Sequence, residues 1–218
     1  MPRPRKHKDA PLSVRLLGPV DVRVGHEPLA VDTRKAVALL AYVAVAGRPM
    51  PREVLAALLW PESAEAQARG ALRRTLSVLN SGLAGGLLVD RATVSMDRER
   101  LDLDLVHFRG ALARARSHGH PVRQSCEHCR VALVEALDLA RGPFMDGFAL
   151  RDSDLFDEWL TSEREAFQRE LAGALERQVL ERLAAGAWDA AISAGRRWLE
   201  LDPLHEPAHR ALMEAYAR

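Results

Sequence analysis

The sequence predicts a mainly α-helical protein with a small β component, and three observations lead to that prediction. Alternation of apolar and polar side chains with a period of two, typical of half-buried strands, is confined to the N-terminal part of the chain. Apolar residues at helical spacing fill most of the remainder, and the C-terminal stretch from Gly186 has the pattern of a helical repeat. We therefore predict a β-containing first domain over residues 12–100 and an all-α second domain over residues 101–218. Residues 1–11, which are basic and contain prolines, are predicted to be disordered.

The first domain begins with short strands. Apolar side chains recur at every second position around Val14 and again around Val22. Gly18-Pro19 and the segment Gly25–Pro28 supply turns between and after these strands. A third short strand is predicted at Leu29–Val31.

Three helices are predicted next. Asp32 or Thr33 can cap the first, and Pro51 suits the first turn of the second, where its missing N–H costs nothing. Ser63 is predicted to cap the third helix, over residues 64–81. The apolar stripe of that helix comprises Ala68, Leu72, Leu76 and Leu79.

A β-hairpin follows the three helices. Its strands are Leu87–Val89 and Thr93–Met96, joined by the tight turn Asp90–Ala92. The order of strands, three helices and hairpin is that of a winged helix with an N-terminal sheet, the arrangement of response-regulator output domains. The hairpin would be the wing.

From Leu101 onwards the patterns are helical. Asp104 can cap the first helix, and a long helical stretch runs from about Asp154 to Ala185. The segment from Gly186 to Pro203 resembles a tetratricopeptide repeat, with a glycine turn, a helix rich in small residues and a terminal Asp-Pro. Such a repeat cannot bury its apolar face alone. We therefore expect the chain to be truncated at its C-terminus, or its end to be covered by another surface.

Charge is distributed unevenly along the chain. Residues 1–100 contain 16 Lys and Arg against 10 Asp and Glu, whereas residues 101–218 contain 15 against 20. A basic first half indicates an anionic partner for that half only. The sequence has no apolar run of about 20 residues that could cross a bilayer and no signal peptide, so we predict a cytoplasmic protein without a membrane partner.

The third helix is the predicted reader of the DNA major groove, because the side opposite its apolar stripe is rich in arginine. Arginine pairs bidentately with guanine O6 and N7. We expect Arg69 and Arg73 at base edges, with Arg74 and Ser77 on phosphate or neighbouring bases. Asn80 belongs to the same face. The alternative is that this face is simply solvated.

Other basic residues are candidates for backbone contacts. Arg91, at the hairpin tip, is predicted to enter the minor groove or contact the backbone. Arg34, Lys35 and Arg52 lie near helix starts, where cationic side chains and helix N-termini both favour phosphate.

A separate cluster contains histidines and both cysteines. His118 and His120 precede Cys126 and Cys129, and these residue types would suit a tetrahedral, structural zinc ion. The loop between the His and Cys pairs is shorter than in common zinc fingers. We therefore favour a polar loop with two partly buried thiols. A redox disulfide is a third alternative.

Several motifs together resemble one family. They include Arg34-Lys35-Ala36 at a helix start, Leu58-Leu59-Trp60-Pro61, and Leu72-Arg73-Arg74-Thr75-Leu76. Further motifs are Leu16-Leu17-Gly18-Pro19-Val20, Leu39-Leu40-Ala41-Tyr42, Arg52-Glu53, Ala68-Arg69, the loop from Arg141-Gly142 to Gly147-Phe148, Trp159 and Arg164. The chain resembles the Streptomyces antibiotic regulatory protein (SARP) family, which pairs a winged helix with a bacterial transcriptional activation domain. An aromatic residue commonly precedes the Arg-Gly pair in that family, and here it is Ala140.

The resemblance implies a transcriptional activator that binds direct repeats in double-stranded DNA as more than one subunit and contacts RNA polymerase. The alternative is a protein-interaction scaffold whose winged helix binds protein. No nucleophile elbow, metalloprotease helix or phosphate-binding loop occurs in the sequence, so we do not expect an enzyme. Apart from the zinc alternative, no cofactor is expected.

Overall fold

A computed structural model describes residues 10–30, 33–117, 119, 121, 124 and 126–218. The predicted disordered N-terminus therefore lies largely outside the described residues, as do Val31 and the capping candidate Asp32. The chain forms two compact units. The first consists of the described residues up to Leu105 together with Phe144–Glu163, and the second of Val106–Pro143 and Arg164–Arg218.

The elements confirm a mainly α-helical fold with a small β component. The strands are β1 (Leu12–Arg15), β2 (Asp21–Val24), β3 (Glu27–Pro28), β4 (Met50–Pro51), β5 (Leu87–Val89), β6 (Thr93–Met96) and β7 (Leu101–Leu103). The helices are α1 (Arg34–Ala46), α2 (Arg52–Leu59), α3 (Glu65–Gly82), α4 (Asp104–Arg116), α5 (Glu127–Leu139), α6 (Asp154–Ala184), α7 (Trp188–Leu201) and α8 (Glu206–Tyr216). None of the helices within the described ranges is both long and apolar enough to span a membrane.

The first unit contains two small sheets beside helices α1, α2 and α3. One has the strand order β3-β2-β1-β7 and the other β4-β6-β5. The predicted third strand at Leu29–Val31 is wrong: the strand is Glu27–Pro28. The strand begins two residues earlier than predicted, because Val24 pairs with Glu27 across a tight turn in which Gly25 adopts a φ of 63°.

Strand β7 also corrects the prediction that only helical structure follows Leu101. It pairs in parallel with β1, with Leu12 opposite Leu101 and Val14 opposite Leu103. A three-residue strand has almost no periodicity of its own, and here the pairing with β1 defines it.

Asp104, the first residue of α4, is fully buried and links that helix to β1. Its carboxylate accepts hydrogen bonds of 2.9 Å from the backbone N–H groups of Leu16, Leu17 and Leu105. The side chain therefore satisfies the N–H of the next residue at the helix start and two buried N–H groups from a distant part of the chain, and its predicted capping role stays a prediction.

The caps of the first and third helices differ. Thr33 caps α1 as predicted, because its Oγ1 accepts a hydrogen bond of 3.3 Å from the N–H of Ala36. The cap predicted at Ser63 is wrong. The N-cap of α3 is Ala64, which makes no side-chain cap, while the Ser63 N–H donates to the Trp60 carbonyl within the turn after α2.

The segment Phe144–Glu163 completes the core of the first unit although it is distant in sequence. The Met145 N–H donates to the Leu16 carbonyl at 2.7 Å. The Trp159 ring packs edge-on against Tyr42 of α1, with centroids 5.0 Å apart, and lies 5.1 Å from Phe156. Residues that follow two intervening helices in the chain thus become part of the winged-helix core.

The second unit is helical. Phe108 of α4 and Phe167 of α6 are buried against each other, with ring centroids 5.1 Å apart. Helices α7 and α8 pack closely because α7 carries Gly195 at the crossing, where an added Cβ would lie 2.8 Å from a Leu212 methyl group. Gly186 forms the turn before α7 with a φ of 69°, as the repeat pattern predicts.

Candidate nucleic-acid interface

Helix α3 separates an apolar side from a basic side. Ala68, Leu72, Leu76 and Leu79 are all buried, which confirms the predicted stripe. The five residues of α3 that are predicted to contact DNA are all exposed: Arg69, Arg73, Arg74, Ser77 and Asn80. Because packing uses only one side of the helix, the guanidinium groups are left at the surface of the first unit.

The arginines of α3 differ in their intramolecular partners. Arg69 forms an ion pair with Glu65 one turn earlier, and both side chains are more than half exposed. Such exposed pairs contribute little stability, about 0–1 kcal/mol, so the Arg69 guanidinium can exchange this partner at low cost. Neither Arg73 nor Arg74 has an ion-pair partner within the described parts of the chain.

The predicted wing is present as β5 and β6, which pair antiparallel. The Asp90 carboxylate orders the turn by accepting hydrogen bonds of 2.6 Å from the Thr93 N–H and 2.7 Å from the Ala92 N–H. Bonds from Thr93 and then Ala92 lower the pKa of Asp90. The turn thereby holds Arg91 exposed at the tip.

Arg52 braces the wing from the start of α2. Its Nη1 donates to the Asp90 carbonyl at 3.1 Å, and its backbone N–H donates to the Ala92 carbonyl at 2.8 Å. Arg52 therefore already binds two backbone carbonyls of the turn at the hairpin tip. Its phosphate contact stays a prediction.

Arg34 and Lys35 contact the segment that follows Pro143. Arg34 donates from Nε to the Ala149 carbonyl at 2.9 Å, with its guanidinium 5.1 Å above the Phe148 ring. Lys35 lies 2.7 Å from an Asp152 carboxylate oxygen and 5.2 Å from the centre of the Trp60 ring. The contacts with residues 148–152 have no local signal in the sequence, because they join α1 to residues more than a hundred positions away. Their proposed roles on DNA remain predictions.

The cysteine cluster is described only in part, because His118 and His120 lie outside the described residues. Cys126 is the N-cap residue of α5, and Cys129 is buried, with Sγ 3.3 Å from the Ala115 carbonyl oxygen. Neither cysteine forms a disulfide within the described residues, and burial raises the pKa of Cys129. The described residues include no group of three or more potential metal ligands. Zinc binding stays an untested alternative to the favoured polar loop.

Comparison with known proteins places this arrangement in a family. The family model described as the bacterial transcriptional activator domain (BTAD) matches residues 103–218. The solved structure of Mycobacterium tuberculosis EmbR in complex with a low affinity phosphopeptide is similar over 96% of this chain, with 25% sequence identity and a TM-score of 0.68. The chain spans 55% of that EmbR chain. No curated protein matches.

The two similarities together cover nearly the whole chain. The family model accounts for the helical part of the chain, and the structural similarity extends across the winged helix as well. The motif order that led to the SARP resemblance is thereby supported on both sides of residue 103. The chain belongs to the bacterial transcriptional activator domain family, as a SARP-type regulator in which a winged helix precedes that domain.

Proposed function

We propose that this chain is a sequence-specific, DNA-binding transcriptional activator that reads the major groove with α3. The observation that supports this proposal is the exposed face of α3, where three arginines lie opposite a fully buried apolar stripe. An arginine-rich face is the electrostatic signature of a phosphate-bearing partner.

The geometry of α3 suits the major groove. That groove is about 12 Å wide and admits one α-helix. Arg69 and Arg73 are four residues apart, a rise of about 6 Å along the helix axis, which is close to two base-pair steps of about 3.4 Å. Their guanidinium groups could therefore contact guanines in successive parts of one half-site, while Arg74 and Ser77 contact phosphate or neighbouring bases and Asn80 extends the same face.

The remaining basic residues would position the protein on the backbone. Arg91 would contact the minor groove or phosphate from the wing tip, which Asp90 and Arg52 hold in a fixed turn. Arg34 and Lys35 would bind phosphate only by exchanging their present partners, so we rank them below Arg91.

The helical part would supply protein contacts. The acidic balance of residues 101–218 disfavours DNA, and residues 103–218 match a transcriptional activator domain. We propose RNA polymerase as its partner, and binding to direct repeats with self-association of the subunits on DNA. Footprinting on a bound promoter would show protected repeats if this arrangement is correct, and a single protected half-site would contradict it.

The DNA-binding proposal is tested with duplexes selected from a random pool by the wild-type chain. Fluorescence anisotropy then compares selected and scrambled duplexes for wild type, the Arg69→Ala/Arg73→Ala double variant and an Arg98→Ala control. Arg98 is exposed in the same unit and outside the proposed interface. Each bidentate contact discriminates by about 1–3 kcal/mol, so the double variant should lose at least about 30-fold in affinity for the selected duplex.

The same measurements separate activator from scaffold. Direct DNA binding predicts that log affinity falls steeply with log salt concentration. Arg91→Ala should weaken binding to the selected and the scrambled duplex by the same factor, because a backbone contact carries no sequence information. If wild type selects no duplex, or if the double variant binds as tightly as Arg98→Ala, the scaffold alternative is favoured instead.

A further inference from the structure

The first unit contains a basic cavity that shares Arg34, Lys35 and Arg74 with the DNA-binding proposal but also includes Arg151, which that proposal does not use. Its volume is about 870 Å³, and it lies between the start of α1, the middle of α3 and residues 147–152. Cavities of about 300–1,000 Å³ are typical of small-molecule sites. Every lining residue belongs to the same compact unit.

The charges around this cavity are unbalanced. Four basic residues line it, Arg34, Lys35, Arg74 and Arg151, against one acidic residue, Asp152. Lys35 already neutralises Asp152, and Arg34 is bound to a backbone carbonyl. These two contacts hold the wall formed by residues 147–152 against α1. Both Arg74 and Arg151 are exposed and lack an ion-pair partner anywhere in the described ranges. The cavity therefore presents two unneutralised guanidinium groups from two different walls.

The rest of the lining is apolar. Trp60 and Val78 line the cavity, together with Ala71 and Leu150. Val78 is 55% exposed, although it lies on a helix whose other large apolar residues are buried. A ligand that covers Val78 would remove this apolar surface from water. The basic side chains and the apolar lining of the cavity together suit an anion with an apolar body better than an inorganic ion.

We propose that this cavity binds a small organic anion. Its phosphate or carboxylate group pairs with Arg74 and Arg151, and its apolar body packs on Trp60 and Val78. Guanidinium groups suit such oxyanions because they donate paired N–H bonds in a planar fork. Arg74 also lies on the face of α3 assigned to DNA, so the ligand and DNA compete for one side chain. This competition rests on the proposed function, whereas binding of the anion does not.

The first experiment uses the full chain without DNA. Phenyl phosphate is titrated into labelled protein while the indole N–H signal of Trp60 is followed by NMR, with benzyl alcohol as the neutral analogue. Arg74→Ala and Arg151→Ala should each weaken phenyl phosphate binding about tenfold or more, since each removes a charge-assisted hydrogen bond. Arg98→Ala should not. Unchanged binding in Arg151→Ala, or equal binding of benzyl alcohol, would overturn the proposal.

The second experiment separates a free anion from a DNA phosphate as the source of the oxyanion. Phenyl phosphate at saturating concentration is added to wild type and Arg151→Ala on the selected duplex. Weaker DNA binding in wild type, with no change in Arg151→Ala, supports competition. If Arg151→Ala weakens DNA binding while wild type does not bind phenyl phosphate, the cavity takes a backbone phosphate and the small-ligand proposal is wrong. If wild type binds no duplex, the DNA-binding proposal fails, and the first titration alone decides the anion site.

Discussion

Replacing Asp104 by alanine should strongly destabilise the first unit. The change removes the carboxylate that accepts the N–H groups of Leu16 and Leu17, and both leucines are fully buried. Each buried N–H left without an acceptor costs about 1–3 kcal/mol, so the two together cost about 2–6 kcal/mol. That loss is a large part of a typical domain stability of about 5–15 kcal/mol.

The assay is urea unfolding followed by circular dichroism, together with hydrogen exchange at the two leucine amides. Asp97→Ala is the control, because the Asp97 carboxylate also accepts a backbone N–H, from Glu99 at 3.1 Å, but at an exposed site where water can replace it. The control should cost less than about 1 kcal/mol, as is usual for surface changes. Equal losses in the two variants, or unchanged protection of the Leu16 and Leu17 amides in Asp104→Ala, would refute the reasoning.

Three further predictions concern other parts of the chain. Hydrogen bonds from Thr93 lower the pKa of Asp90, so the bonds that order the wing turn are fully formed above the ordinary aspartate pKa of 3.8 and are lost only as the pH falls through the lowered pKa. An NMR titration of the Asp90 carboxyl should find its pKa below 3.8. Asp90→Asn should abolish this acid transition. Gly195→Ala should lower the melting temperature, because the added methyl group crowds a leucine of α8. Gly173→Ala has open space around it and should raise the melting temperature by an amount equivalent to about 0.5–1 kcal/mol. A higher melting temperature for Gly195→Ala than for Gly173→Ala would contradict the close packing of α7 and α8. Because burial raises the pKa of Cys129, iodoacetamide at neutral pH should alkylate it far more slowly than free cysteine, and equal rates would exclude a buried thiol.

The sequence was informative wherever local periodicity was strong. The stripe of α3 and the two strands of the wing could be predicted because each needs only a few neighbouring residues to define its pattern. Strand β7 and the two-residue β4 could not, because segments this short are strands only through pairing with distant partners, such as Leu12 with Leu101. The third strand was misplaced by two residues for a related reason, since the turn at Gly25 sets its register.

The candidate interface shows the same division. Exposure of Arg69 and Arg73 follows from helical spacing alone, so their placement could be predicted. The ion pair of Lys35 could not be predicted, because only the tertiary fold brings Asp152 close to it. Arg151, a key residue of the proposed anion site, has no local signal in the sequence for the same reason.

The return of Phe144–Glu163 to the winged-helix core limits how such regulators can be recombined. The matched family region begins at residue 103 and so includes this segment, although Trp159 packs on Tyr42 of α1. A chimaera joined at that boundary would inherit the two sides of one aromatic cluster from different parents. Hybrids that exchange the activation domain should therefore retain residues 144–163 with the winged helix, and natural variation at Trp159 should be matched by compensating change at Tyr42.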